Sequence, residues 1–277
     1  MLKSWKKKGN KKKFEKILKD IKKVKIQGAR NIAIAGLRAY ILFPTKQAKH
    51  RLVNARPTEP LLFHVLEKAH KRNYKEILHH FSETQNRINS LVLKIIKNNP
   101  VIFTHCHSTN VVNALIYSKK HGKKFEVYNT ETRPLLQGRV TAKQLKKAGI
   151  KVTMFVDSAL GIALSREQGT RKPDFVFLGA DAILKDGVIN KVGSEVISQI
   201  AKNNKTPVYI IADSWKYTNK YVPIEQRKLN EVWDKAPKNI KIKNPAFEFV
   251  HKKYIKAIVS ELGTLTYDNF LKKVREK

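Results

Sequence analysis

Cysteine is nearly absent from this chain: Cys106 is the only one in 277 residues, which excludes an internal disulfide framework. Acidic residues are scarce as well, 22 Asp and Glu against 57 Lys and Arg. No stretch approaches the roughly 20 uninterrupted apolar residues of a membrane span, and the N-terminus lacks the apolar core of a signal peptide. A cytoplasmic protein without membrane contact is therefore expected. Other signatures are missing too. There is no G-x-G-x-x-G, no G-x-x-x-x-G-K-[ST], no zinc finger, no RNP-type aromatic strand and no KH-type G-x-x-G loop. Neither a nucleotide cofactor nor specific nucleic-acid recognition is expected from such a chain.

What is present is a 31.9 kDa chain with 42% hydrophobic residues, enough to bury a substantial core in one large domain or two small ones. Its formal charge is +35. The leading stretch MLKSWKKKGNKKKFEKILKDIKKVK, residues 1–25, is dense in lysine and suits electrostatic contact with RNA or another polyanion. Lysines recur along the whole chain, however, as in LKIIKNN, SKKHGKK and FVHKKYIKA. That spread points to a general lysine bias, with weak electrostatic contact to RNA at most.

Apolar spacing of three and four from Phe14 to about Asn98 predicts helices, interrupted at Ala55–Pro60, where Thr58 and Glu59 before Pro60 mark a new helix start. After Asn99–Pro100 the pattern changes. VIFTH, FEVYNT, KVTMFVD, FVFLGAD and PVYIIAD read as strands, each apolar and ending in a polar residue, with TAKQLKKAG and GSEVISQIAKNN as helices between them. Alternation of this kind predicts an α/β chain: a basic segment 1–25, a small N-terminal helical domain 26–99, and a Rossmann-like domain 100–277 with a mainly parallel sheet.

In such a sheet the residues just past the carboxyl ends of the strands converge on one crevice. Those ends carry Cys106 and Ser108, then Thr130–Arg133, then Asp157 and Ser158, then Gly179–Asp181, then Asp213–Lys216. Cys106 lies near a strand-to-helix turn between His105 and His107, and helix dipole and imidazoles would both favour its thiolate. The competing reading is a buried structural cysteine. Zinc fits poorly, because three adjacent residues diverge and no second ligand pair completes a tetrahedron. Arg133 and Arg56 each precede proline, and Gly28, Ala29 and Arg30 offer close backbone approach with a guanidinium. Cations placed this way suit a phosphate ester.

The ordered set I-Q-G-A-R, A-R-P-T-E-P, T-H-C-H-S, E-T-R-P-L-L-Q-G, V-D-S-A, L-G-A-D-A-I, G-V-I-N-K-V-G and N-P-A-F resembles the family of translation initiation factor 2B regulatory subunits and two sugar-phosphate isomerases. The likeness spans roughly Ile26 to Phe270, and T-H-C-H-S is most similar to the archaeal branch acting on ribose 1,5-bisphosphate. The resemblance implies an aldose–ketose isomerase producing ribulose 1,5-bisphosphate in nucleotide salvage. It implies Cys106 as base and Asp181 as acid. It further implies substrate contacts from Gln27, Gly28, Ala29, Arg30, Arg56, Ser108, Arg133, Asn190, Lys191 and Lys216, no metal and no cofactor. A phosphorylated pentose and a homo-oligomer, dimer or hexamer, are the implied partners. Gln27 departs from the arginine of the isomerase motif. The alternative within the resemblance is a non-catalytic factor 2B-like subunit that binds a sugar phosphate or nucleotide.

Overall fold

The computed structural model describes residues 2–69, 74–97, 99–166 and 169–276, with side chains from Gly9 onward. The chain divides into two bodies, Met1–Ser82 with Lys220–Pro223 and Glu83–Asn219 with Ile224–Lys277.

The first body is helical: α1 (Leu2–Lys22), α2 (Ala29–Leu42), α3 (Lys46–Val53), α4 (Pro60–Lys68) and the start of α5 (Tyr74–Ile95). Phe14, Leu18 and Ile21 recur at helical spacing on α1 and pack with Ile32, Ala39, Leu52, Leu62 and Leu66. The lysine-rich leader is therefore built into a helix that buries one face in this core, while Lys11, Lys12 and Lys13 stay exposed. The helical pattern running from Ile21 to Leu42 is broken in the structure. Val24 (φ 55°) and Gly28 (φ 84°) take left-handed conformations that end α1 and admit α2. Gly36 lets α4 approach, since a Cβ there would lie 2.3 Å from Leu62 Cδ1. Pro60 opens α4, as its fixed φ and missing N–H allow.

The second body holds a seven-stranded sheet. In chain order its elements are β1 (Val101–Thr104), α6 (Thr109–Lys120), β2 (Glu126–Thr130), α7 (Gln137–Lys147), β3 (Lys151–Phe155), α8 (Leu160–Ala163) and β4 (Phe175–Leu178). They continue with β5 (Ala182–Ile183), β6 (Gly187–Lys191), α9 (Ser194–Asn203), β7 (Val208–Ile211), β8 (Phe247–His251), β9 (Ala257–Ser260), β10 (Gly263–Leu265) and α10 (Tyr267–Arg275). The order across the sheet is β10-β9-β7-β4-β1-β2-β3, and every pairing is parallel except β10 with β9. Each of the five expected strands is present. A second, antiparallel sheet β5-β6-β8 was not foreseen.

Both faces of the large sheet are covered. Ile102, Val127, Phe177, Ile211 and Val259 face Ile88, Val92 and Ile96 together with Val111, Val112 and Leu115 of α6. Val101, Phe103, Val176, Leu178 and Ile210 face Ile197 of α9, Phe270 of α10 and Ile183 and Val188 of the small sheet. Residues alternate between faces as the pleat requires. The division between the bodies falls inside α5, not at Asn99–Pro100, because the second half of α5 supplies Ile88 and Val92 to the sheet's core. Each such side chain stabilises by on the order of 2 kcal/mol. Among the described residues no helix is long and apolar enough to cross a membrane.

Candidate active site

The sheet grows in two directions from its centre. β2 and β3 extend it from β1, while β7 and β9 extend it from β4. The carboxyl ends of β1 and β4 thus flank the topological switch point, where open α/β sheets hold their ligands. Contact there is direct: a Cβ at Gly179 would stand 2.7 Å from Ser108 Oγ. Ser108 itself caps α6, its hydroxyl oxygen accepting from the Val111 amide at 3.5 Å.

Cys106 follows β1 in a left-handed conformation, φ 64°, rare for a residue with a side chain. Its amide donates to Thr132 Oγ1 at 3.0 Å, and its carbonyl accepts from Thr141 Oγ1 at 2.8 Å. The thiol does not have the character predicted from the local sequence. Burial pushes its pKa up to about 12, and Asp181 and Asp157 add to the rise, against the lowering by Lys191. The flanking imidazoles give no help because burial lowers both, His105 to about 4. Both His105 nitrogens are engaged, by Thr130 Oγ1 at 2.5 Å and the Val192 carbonyl at 2.8 Å, so this histidine is no metal ligand.

Asp181 lies just beyond β4. The next two residues form β5, so Asp181 caps no helix. Its amide donates to the Ile189 carbonyl at 2.8 Å, which starts the β5–β6 hairpin and draws Asn190 and Lys191 into the same neighbourhood. Asn190 Nδ2 donates to Ser194 Oγ at 2.9 Å. Lys191 is buried, yet its charge is felt by the Cys106 thiol. Lys216, also buried, donates from Nζ to the Ala180 carbonyl at 2.5 Å, one residue from Asp181.

The sheet body therefore gathers Cys106, Ser108, Asp181, Asn190, Lys191 and Lys216 around one switch point. Arg133 stands at the end of β2. Its amide donates to Asp157 Oδ2 at 2.6 Å, and its exposed guanidinium donates to the Val232 carbonyl at 3.4 Å. The other predicted contacts belong to the helical body. Gln27 is exposed and donates to the Val24 carbonyl at 3.3 Å. Gly28 precedes α2 and Ala29 begins it, while Arg30 places its guanidinium 5.6 Å from the Phe81 ring centre. Arg56 is buried and paired with Glu59 at 3.4 Å.

Sequence reasoning missed the groups that hold Cys106. Thr130, Thr132 and Asp157 were visible as polar residues at strand ends, but with no function attached. Asp157 accepts the amides of Thr132 (2.9 Å) and Arg133 (2.6 Å) and so fixes the loop after β2. Thr141 carried no signal, since it sits in α7 and reaches Cys106 through tertiary packing. Glu248 was likewise unmarked. It accepts from the Glu195 amide at 2.7 Å at the start of α9, and burial raises its pKa. A thiol, a carboxyl group and two buried ammonium groups at one crevice are equipped to move protons on an anionic substrate.

Residues 25–267 match the initiation factor 2 subunit family. The chain is 31% identical to the ribose 1,5-bisphosphate isomerase of Archaeoglobus fulgidus, covering 88% of this chain and 87% of that protein. It is 34% identical to the enzyme of that name from Methanocaldococcus jannaschii, covering 88% and 89%. The structure of translation initiation factor eIF-2B from Pyrococcus horikoshii superposes with a TM-score of 0.79 over 91% of this chain and 96% of that one. At 24% identity, that likeness shows the fold alone. On the extent of these matches, the chain belongs to the initiation factor 2 subunit family.

Proposed function

We propose that this chain is an aldose–ketose isomerase converting ribose 1,5-bisphosphate to ribulose 1,5-bisphosphate, with Cys106 and Asp181 as its proton-transfer groups. The observation that carries the reading is the placement of Cys106 and Asp181 at the ends of the neighbouring strands β1 and β4, beside buried Lys191 and Lys216. Relatives 31% and 34% identical that bear the isomerase name support it.

The chemistry asks for what this crevice offers. The ring oxygen must gain a proton as the sugar opens at C1, the hydrogen on C2 must leave and one must arrive at C1, and the C2 hydroxyl must give up its proton as it becomes the carbonyl. Asp181 serves as the acid and Cys106 as the base, one on each side of the reacting carbons. Because burial pushes the Cys106 pKa up to about 12, its proton must leave before it acts as base, and Lys191 and the His107 backbone N–H are the groups that favour the thiolate. Lys191, Lys216, Asn190, Ser108 and Arg133 serve as substrate contacts; for Gln27, Gly28, Ala29, Arg30 and Arg56 the support is the family resemblance. The family resemblance supports a homo-oligomer, dimer or hexamer.

Incubation of the purified protein with ribose 1,5-bisphosphate, with ribulose 1,5-bisphosphate measured as product, tests the proposal. Turnover is expected, and Cys106→Ser and Asp181→Asn should each lower kcat by about 10²–10⁴-fold. Binding of the bisphosphate without turnover would instead assign the chain to the non-catalytic subunits.

A further inference from the structure

We infer that Thr132 and Thr141 are positioning residues that hold Cys106 for proton transfer, and that a one-way hydrogen-bond chain through Thr132, Thr130 and His105 fixes Cys106 relative to Lys191. The direction of the chain follows from donor chemistry. The Val192 carbonyl can only accept, so His105 Nε2 carries the hydrogen of their 2.8 Å bond. Because burial keeps the imidazole neutral, Nδ1 is then an acceptor, and its partner at 2.5 Å is the Thr130 hydroxyl. With its hydrogen so used, Thr130 can only accept from Thr132, whose hydroxyl hydrogen is shared between Thr130 Oγ1 at 3.3 Å and the Thr130 carbonyl at 3.4 Å. Thr132 Oγ1 in turn accepts the Cys106 amide at 3.0 Å.

The chain ends on Val192, the residue after Lys191. Gly193 makes that end possible. It adopts φ 103°, and a Cβ there would stand 3.1 Å from His105 Nε2. On the other side of the cysteine, Thr141 donates to the Cys106 carbonyl at 2.8 Å and accepts from His107 Nδ1 at 2.9 Å. The hydroxyls of two buried threonines therefore hold Cys106 by its amide and its carbonyl. That grip matters because left-handed backbone at a residue with a side chain persists only where its surroundings impose it.

Thr132→Val and Thr141→Val remove each hydroxyl at nearly constant volume, while Thr132→Ser and Thr141→Ser keep it. Two readouts are needed. The kinetic one rests on the isomerase reading and measures kcat and KM with ribose 1,5-bisphosphate. The other is alkylation of Cys106 by iodoacetamide between about pH 7 and 10, followed as loss of the free thiol, which needs no substrate and reports one site because the chain has one cysteine. The charged and titratable groups around the thiol, namely Lys191, Asp181, Asp157, His105 and His107, remain in place in all four variants.

In the parent protein the alkylation rate should climb about tenfold per pH unit without levelling off. Each valine variant should lose about tenfold or more in kcat with KM within about twofold. Its Cys106 should also alkylate about threefold faster or more at pH 8 as the released thiol gains water. Each serine variant should restore both. Circular dichroism checks folding, and His105→Gln breaks the chain at a second point with the same expected signature. The inference is overturned if the valine variants match the parent in both readouts, or if the serine variants are as impaired as the valine ones. If the parent lacks isomerase activity, the function reading fails and alkylation alone decides the positioning role.

Discussion

His105 shows what a buried titratable side chain costs. Its pKa is lowered by burial from 6.5 to about 4, so the folded chain keeps the imidazole neutral through a range in which the unfolded chain binds a proton. Between pH 6.5 and 4 the unfolded state holds more protons, and stability falls as the pH falls. The loss reaches about 3 kcal/mol by pH 4. Urea unfolding midpoints measured from pH 7 to pH 4 should drop for the parent, and this component should vanish in His105→Gln; an equal pH slope in the two proteins would contradict it. The neighbouring thiol marks where local reading misleads. A helix start and two histidines beside Cys106 suggest an activated thiolate, yet burial lowers the pKa of both histidines and dominates at the thiol. The burial comes from packing around the cysteine, about which flanking residues say nothing.

At the level of elements, the loop between β2 and α7 depends on a glycine. A Cβ at Gly138 would lie 1.7 Å from the Thr130 carbonyl oxygen, and that oxygen is backbone, which cannot swing aside. Gly138→Ala should cost about 2–3 kcal/mol, and its thermal midpoint should fall by about 5 °C or more. Gly161→Ala is the control, since nothing lies within 4 Å of its added methyl and its φ is ordinary. Equal midpoints for the two variants would rule out the crowding. Elements were also the level at which sequence was most legible. The five apolar strands ending in polar residues are all found in place; four of them are buried, because a parallel sheet covered on both faces demands continuous apolar runs, while β3 at the edge stays partly exposed. The hairpin β5–β6 was hidden because Ala182 and Ile183 make a strand of only two residues, too short to leave a periodic signal. Yet that hairpin carries Asn190 and Lys191 next to Asp181. These three were assigned by motif, while the structure supplies the reason they meet. Arg56 was read as a phosphate contact from its proline and from the A-R-P-T-E-P motif, neither of which reveals its buried pairing with Glu59.

For the molecule as a whole, the charge of +35 governs how copies meet. Repulsion between protomers reaches about 30 Å at 0.01 M salt and about 3 Å at 1 M. Self-association should therefore strengthen with ionic strength. Light scattering at fixed concentration should show the mean mass rising from a value near 31.9 kDa toward its multiples as salt is added. A mass that does not change with salt would show that charge does not control assembly. Binding to RNA should respond the opposite way, weakening as salt rises. β3 ends the large sheet and, among the described residues, pairs only with β2; Met154 within it and Val156 just after it are exposed. A bare rim of this kind is a template onto which another strand can crystallise, and long-range repulsion between like-charged copies is what holds two rims apart. Any polyanion that neutralises the lysines disarms that colloidal barrier, so traces of nucleic acid left in a preparation would seed precipitation of the protein they bind.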